Sequence, residues 1–383
     1  ERFDDEGEPI EPIFTDIAID NKGNVTVIEE ITGKIYQYDQ QGNILLAFGG
    51  KGEQKGLFEY PVAIDVDDQG RIYVLDSVRG NIQIFEPTSF TKKVHQATYD
   101  YLSGNYEEAY TTWNEVLSKD EYYTLAHIGI AQSLYKKEQY DEALEEYRLA
   151  DDRVGYSKVF TEYRYEKFRN NFVLVFIIFI AGSVLFIYLF RFIKAKTAEA
   201  TENFQEIKSK KMSIWEGIKV GMGVVFRPLE TFRLIKNGRG RLNMIPGVIC
   251  LLLVLFARLF YIFTVHFPLA DIDINSANFV VEAVKVLVPP LTWIIASYAV
   301  TSILVGESRL REIVLATAYC MIPYILMTII MGIASHLMAR DMRVLHSFVI
   351  NGTRVWTFVL YFLSLKELND YKNSKAVLAY VTS

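Results

Sequence analysis

The chain has 383 residues, 51% of them hydrophobic and 22% charged, with a formal net charge of -6. That length allows two or three domains, and the hydrophobic fraction alone does not separate a soluble protein from a membrane protein. Its two cysteines, Cys250 and Cys320, both lie in apolar runs, which excludes a disulfide framework and leaves them as small hydrophobes.

Distribution is more informative than the average. Up to about residue 171 charges are frequent and apolar residues alternate with polar ones, whereas from residue 172 onward there are runs of about 20 nearly uncharged residues. Such runs match the roughly 30 Å hydrocarbon core of a bilayer at about 1.5 Å rise per residue. The first 90 residues hold about 18 acids against about 7 bases, while residues 191 to 243 hold about 12 bases against about 5 acids, so the two regions face different surroundings. The chain starts with Glu1 and shows no basic, apolar, small-residue leader, so a segment ahead of it is expected.

Residues 1 to 90 contain a repeat. An offset of 47 residues brings Ile17 onto Ile64, Asp20 onto Asp67, Gly23 onto Gly70, Val27 onto Val74, Gly33 onto Gly80 and Ile35 onto Ile82. Each unit reads strand, turn, strand, turn, strand; Asn21-Lys22-Gly23-Asn24 is hairpin chemistry, because Asn and Gly accept positive φ. Phe48 through Asp76 carries F-G-x-x-G, G-x-F-x-x-P and I-x-V-D-x-x-G-x-I-Y-V-x-D, and there the chain resembles the NHL repeats of β-propeller blades. Two blades cannot close a ring, so the resemblance implies further blades or a packing partner. Asp20, Asp67 and Asp76 are expected to serve turns and strand ends.

A second repeat of 34 residues follows. Tyr106, Ala109 and Trp113 recur as Tyr140, Ala143 and Tyr147, with small residues where helices cross and aromatics filling the gap between stacked pairs. This is the tetratricopeptide pattern over residues 95 to 155, serving either as a peptide-binding face or as a spacer. Residues 156 to 193 read as a linker helix and a first transmembrane helix, the latter over Phe172 to Ile193.

Residues 194 to 242 form a basic loop, and Lys/Arg excess beside a span marks the cytoplasmic face, which places the repeats outside. Within it, Ser213 to Ile235 reads as an interfacial amphipathic segment broken near Pro228, with Trp215, Arg227 and Phe232 as lipid or partner contacts. Its bases favour anionic lipid over nucleic acid. Further spans are expected at about Asn243 to His266, Val281 to Val305, Arg311 to Met338 and Phe348 to Leu365, with Arg309 and Arg311 at the inner face. Lys375 to Ser383 reads as the start of one more span.

Phe226-Arg227-Pro228-Leu229-Glu230-Thr231-Phe232, Trp293-Ile294-Ile295-Ala296, Gly306-Glu307-Ser308 and Tyr319-Cys320-Met321-Ile322-Pro323-Tyr324 resemble, in order and spacing, the membrane domain of the Yip (Ypt-interacting protein) family in its bacterial branch, over residues 212 to 383. The fold class expected is therefore multi-domain: a partial NHL β-propeller, tetratricopeptide α-hairpins and a polytopic α-helical membrane domain at 243 to 383.

Arg258, Glu282, Lys285 and Arg354 stand in or near the spans, where an unpaired charge is expensive. Antiparallel second and third spans bring Arg258 and Glu282 to one depth, so these two are expected to pair. Pro289-Pro290 and Pro323 are expected to kink their helices. No Walker motif and no histidine-acid cluster at metal-ligand spacing occurs, so no catalytic, cofactor or metal site is expected. Proteins that combine these three parts resemble accessory subunits of carbohydrate ABC importers. This implies a non-enzymatic scaffold in the bacterial plasma membrane, with lipids, transporter permeases and a solute-binding protein as partners. The alternatives are a stand-alone transporter or channel, which the absence of an internal inverted repeat disfavours, a propeller enzyme, or a membrane-organising protein unrelated to transport.

Overall fold

The computed structural model describes residues 12–206, 211–272, 274 and 277–383. Lys208 and Lys210 of the basic loop and Asp273 of the loop after the second span lie outside the described residues, as do residues 1–11. The chain divides into two compact units, the first ending at Tyr163 and the second beginning at Arg164.

The first unit opens with two antiparallel sheets. One is four-stranded, ordered β1 (Phe14–Ile19), β2 (Val25–Glu29), β3 (Lys34–Tyr38), β4 (Ile44–Gly49); the other is three-stranded, ordered β5 (Pro61–Val66), β6 (Ile72–Asp76), β7 (Asn81–Phe85). One turn device builds three of the hairpins. Asp20, Asp39 and Asp67 each accept backbone N–H bonds from the second and fourth residues after them, at 2.8 to 2.9 Å. The second carboxylate oxygen takes the side chain of that fourth residue: Asn24 at 2.7 Å, Asn43 at 2.8 Å and Arg71 at 2.6 Å. Gly23, Gly42 and Gly70 close these turns at φ of +81°, +85° and +77°, where a side chain would be strained. Asp76 accepts from the backbone N–H of Glu59 at 2.7 Å and of Tyr60 at 3.2 Å, tying the linker to the strand end. Burial opposes ionisation of Asp76, but these backbone bonds prevail and hold its carboxyl below the usual range.

The sheets meet along β1 and β5, where Ile64 N donates to Asp16 Oδ2 at 2.8 Å. Ala18, Ile28, Ile35, Ile64, Ile72 and Val74 form the shared core. Phe58, supplied by the glycine-rich linker, is fully buried among them, 5.8 Å from the Phe85 ring.

Four helices follow: α1 (Ser89–Leu102), α2 (Tyr106–Leu117), α3 (Thr124–Lys136) and α4 (Tyr140–Leu149), each packing on the next. α1 starts at Ser89, before the expected boundary at 95, because Thr88 caps it by accepting from Thr91 N at 3.1 Å. The 34-residue period persists in the geometry. Tyr101–Tyr106 and Tyr135–Tyr140 ring pairs lie at 5.5 and 6.0 Å, and the turn position taken by Gly104 at φ +86° is taken by Glu138 at φ +60°. Ala109 and Ala143 are wholly buried at the crossings, with Trp113 and Tyr147 packed beside them.

α5 (Arg153–Asn170) leads into the second unit, which contains α6 (Phe172–Glu206), α7 (Ile214–Phe226), α8 (Pro228–Asn237), α9 (Ile245–Thr264), α10 (Phe279–Ile303), α11 (Leu310–Cys320), α12 (Ile322–Ala334), α13 (Arg343–Asn369) and α14 (Asn373–Thr382). Among the described residues five segments are long and apolar enough to cross a bilayer: Phe172–Glu199, Ile245–Thr264, Phe279–Ile303, Leu310–Leu337 and Arg340–Asn369. α6 continues past Ile193, since Lys194 to Glu206 contain neither Gly nor Pro to end it. The fourth span is two helices joined at Met321, because Pro323 lacks the N–H that a continuous helix needs. α14 does not stand apart: Ala376 and Ala379 are buried against Leu365 and Tyr371.

α7 begins with a reciprocal cap in which Glu216 N donates to Ser213 Oγ and Ser213 N donates to Glu216 Oε2. Its glycines admit a large neighbour. A Cβ at Gly221 would lie 2.7 Å from the Tyr319 ring, and the Tyr319 hydroxyl donates to Gly217 O at 2.7 Å. α7 and α8 are therefore built into the bundle core through Val220, Val224, Phe232, Leu234 and Ile235.

In the first unit, a Cβ at Gly129 would fall 2.2 Å from Trp113 Nε1, and Trp113 is buried. Gly129→Ala is expected to destabilise this unit by about 1–3 kcal/mol despite the better helix propensity of alanine. Faster amide hydrogen exchange across α2 and α3 of the full chain is the readout.

Candidate functional site

The second unit has two chemically different ends, and the hydrogen bonds sort them. At one end His266 N donates to Ser335 Oγ at 2.9 Å and Arg343 pairs with Asp271, which joins the end of α9, the end of α12 and the start of α13. At the other end Arg233 bonds Glu367 at 2.8 Å, Arg239 bonds the buried Glu312 at 2.9 Å, and Lys236 lies 3.0 Å from Glu307 and also pairs with Asp370. Burial acts to lower the Lys236 pKa, but the bonds to Asp370 and Glu307 outweigh it and raise the value. Ser308 N donates to Asn369 Oδ1 at 3.0 Å, and a Cβ on Gly306 would lie 2.4 Å from that same oxygen, so the Gly306-Glu307-Ser308 hairpin is seated on α13.

Between these ends, on the Asp271 side of the bundle, sits an intramembrane charge cluster. Glu282, in the first turn of α10, is 3% exposed. Arg258 of α9 donates to Glu282 Oε2 from Nε at 2.9 Å and Nη2 at 2.6 Å, and Lys285 donates to Oε1 at 2.6 Å. Both carboxylate oxygens are thereby satisfied by cations, the arrangement that makes a charge tolerable in hydrocarbon. The Arg258 guanidinium also lies 5.7 Å from the Tyr261 ring centre. Arg354 of α13 differs, since it donates to Asn351 Oδ1 at 3.1 Å and has no carboxylate partner among the described residues.

Arg258, Lys285 and Arg354 line one cavity of about 460 Å³, whose remaining wall includes Pro289, Pro290, Trp293, Met321, Tyr324, Phe358 and Tyr361. Trp293 is held by stacking on Tyr361 at 5.0 Å and by contact with Tyr380 at 5.3 Å. Arg258 and Lys285 lie toward the Asp271 end of their helices, Arg354 lies near the middle of α13, and the rest of the wall is largely aromatic and apolar.

The other singled-out residues fall in different places. Trp215 is 73% exposed, Arg227 pairs with Glu230 at 3.2 Å, and Arg309 and Arg311 are exposed. Phe232, expected at the lipid interface, is instead fully buried, because α8 packs on α13 and turns that ring into the core. Tyr106, Ala109, Trp113, Tyr140, Ala143 and Tyr147 lie in the helical hairpins of the first unit, where the ring pairing and burial above account for them. Reading the sequence alone missed the Arg239–Glu312 and Lys236–Asp370 pairs; the acid-rich stretch Glu367-Leu368-Asn369-Asp370 opposite the basic loop was the available signal.

The first unit has its own cavity of about 560 Å³, lined by strands β3 and β4, Phe85, Phe90, His95 and Tyr123. His95 Nε2 lies 2.5 Å from Gln37 Oε1, and the Tyr123 hydroxyl donates to Leu45 O at 2.6 Å. Burial pushes the Tyr123 pKa up and the His95 pKa down; for His95, Lys22 adds to the lowering and Asp20 opposes it. Among the described residues no three His, Cys, Asp or Glu side chains are placed to hold a metal ion.

Five apolar crossing segments, a bundle whose buried carboxylate is paired internally and two charged ends define a multi-pass helical membrane protein. Residues 222–383 match the family described as the Yip1 domain, a segment that begins within α7 and runs to the last residue. Comparison with curated proteins returns no match.

Replacing Arg258 by an acid sets a second carboxylate beside the buried Glu282 and leaves Lys285 as the remaining cation on it. Arg258→Glu is expected to cost about 3–5 kcal/mol, and Glu282→Arg in the same chain to restore more than half of the lost thermal stability in detergent. For His95, whose folded pKa lies below the unfolded value near 6.5, the unfolded state binds more protons, so stability is complete above about pH 6.5 and declines as the pH falls below it. Hydrogen exchange of α1 in the full chain should therefore quicken from about pH 7.5 to about pH 5.5, after correction for intrinsic exchange, and His95→Gln should reduce that change.

Proposed function

We propose that the chain is a non-enzymatic membrane scaffold, an accessory subunit that presents an extracytoplasmic platform to a membrane complex. In this reading the two sheets are NHL-type blades and α1 to α4 are tetratricopeptide hairpins. The membrane is the bacterial plasma membrane, and the complex is a carbohydrate ABC importer with its permeases and solute-binding protein. The observation that carries the platform reading is the apolar surface left on β1 and β7, each the last strand at one edge of its own sheet. Ile17 and Ile19 of β1 are 58% and 64% exposed, and Ile82 and Ile84 of β7 are 59% and 56% exposed. Edge strands of soluble domains are usually blunted by charge, so apolar ones support engagement with further strands or a partner. The exposed apolar surface of α6 supports the membrane part of the same role, since it offers lipid or a neighbouring span a face that the chain does not cover.

The orientation rests on the bases at the Lys236 end of the bundle, which follow the Lys/Arg rule for a cytoplasmic face. A stand-alone transporter is the second reading, and the charges of Arg258, Lys285 and Arg354 favour it over a catalytic one.

Gentle detergent extraction of the full chain followed by mass spectrometry separates these. Co-purification of ABC permeases, reduced several-fold when Ile17, Ile19, Ile82 and Ile84 are replaced by Lys, is the expected result. A lone chain that moves sugar into liposomes would overturn it.

A further inference from the structure

Three of the charges placed in the membrane line one cavity, and their balance is uneven. Arg258, Lys285 and Arg354 contribute three positive charges against the single carboxylate of Glu282, and Arg354 has no acidic partner among the described residues. A net positive cluster buried in hydrocarbon is costly unless an anion joins it. The geometry of the walls indicates what kind of anion. Arg258 is six residues from the end of α9 and Lys285 six residues from the start of α10, both on the Asp271 side, which puts them about 9 Å from those helix ends. Pro289, Trp293 and Phe358 continue the cavity toward the bundle centre, and Pro289 and Phe358 are also exposed on the outside of the bundle, so the pocket opens sideways to the hydrocarbon. Arg354 stands deeper, eleven residues into α13, and its guanidinium turns back toward the Asp271 end to reach Asn351. Cations that face that end, with an apolar groove running inward and open to the acyl chains, complement an amphiphile with an anionic head.

We infer that this cavity binds an anionic phospholipid, its phosphate held by Lys285, Arg354 and the outer face of Arg258, its acyl chain lying along Trp293 and Phe358. Inorganic phosphate offers the same oxygens but nothing for the apolar wall, and would have to reach the site through hydrocarbon, so a lipid is the occupant. The site is independent of the accessory role proposed above, because it requires only the second unit's own helices. It assigns a ligand to Arg354, which has no acidic partner among the described residues.

Native mass spectrometry of the full chain in mild detergent tests this, with titration by dioleoyl-phosphatidylglycerol, by dioleoyl-phosphatidylcholine and by inorganic phosphate in separate arms. Phosphatidylglycerol is expected to be retained about tenfold better than phosphatidylcholine, and that preference to fall to near unity in the Lys285→Gln/Arg354→Gln chain. Arg354→Lys should keep most of it, since the charge remains. Ala296→Trp, which fills the apolar wall and leaves every charge in place, should lower retention of phosphatidylglycerol and guards against a misfolded charge variant. Equal retention of the two lipids, an unchanged preference in the double variant, or phosphate binding that displaces the lipid at equal concentration would each overturn the assignment.

Discussion

Hydrocarbon supplies no counter-charge, so every ion placed within it must find one in the chain or in the membrane. Glu282 is where this constraint acts most strongly: it is nearly inaccessible, and its two oxygens are taken by Arg258 from one helix and Lys285 from its own. The two Arg258 bonds run from α9 to α10 and constrain how the helices face each other. With the two helices set, α12 packs on α9, α13 packs on α12, and the Trp293–Tyr361 stack closes the inner wall of the cavity. The same interaction thus shapes the cavity, and its excess of cations comes from one acid serving two bases and from Arg354, which has no acidic partner among the described residues.

At the Lys236 end the charges are organised differently. Arg233, Lys236 and Arg239 lie on or just after the short helix α8 and reach Glu367, Asp370 and Glu312, so the amphipathic segment is clamped to the bundle by ion pairs as well as by Phe232 and Ile235. Exposed pairs of this kind contribute little singly, but the buried Glu312 makes Arg239 costly to remove. A stretch of sequence with the composition of an interfacial helix has become part of a folded core. The difference lies in the glycines: Gly217 admits Pro246 and Gly221 admits the Tyr319 ring, and without them that helix would be held off the bundle.

The elements legible in the sequence were those governed by period and length. Apolar runs of about 20 residues marked the spans, Asn21-Lys22-Gly23-Asn24 marked a hairpin, and the 34-residue spacing from Ala109 to Ala143 marked equivalent positions in the helices α2 and α4. The Arg258–Glu282 contact was legible because antiparallel neighbours in a membrane must match depth. What was not legible depended on long-range packing. Nothing in the local pattern of Phe226 to Ile235 tells whether its apolar face meets lipid or α13, and the burial of Phe232 is decided by residues more than a hundred positions away. The cavity, likewise, exists only once four helices are together, so Lys285 and Arg354 read in sequence as separate anomalies.

The orientation proposed for the multi-pass bundle is the first unit outside and the Lys236 end inside. Impermeant maleimide labelling in intact cells tests it directly, because Cys250 and Cys320 are buried and leave a quiet background. A cysteine at Tyr122, which is 84% exposed, should be labelled in intact cells, and one at the exposed Lys372 only after permeabilisation. The reverse pattern, with Lys372→Cys labelled from outside and Tyr122→Cys protected, would contradict the account.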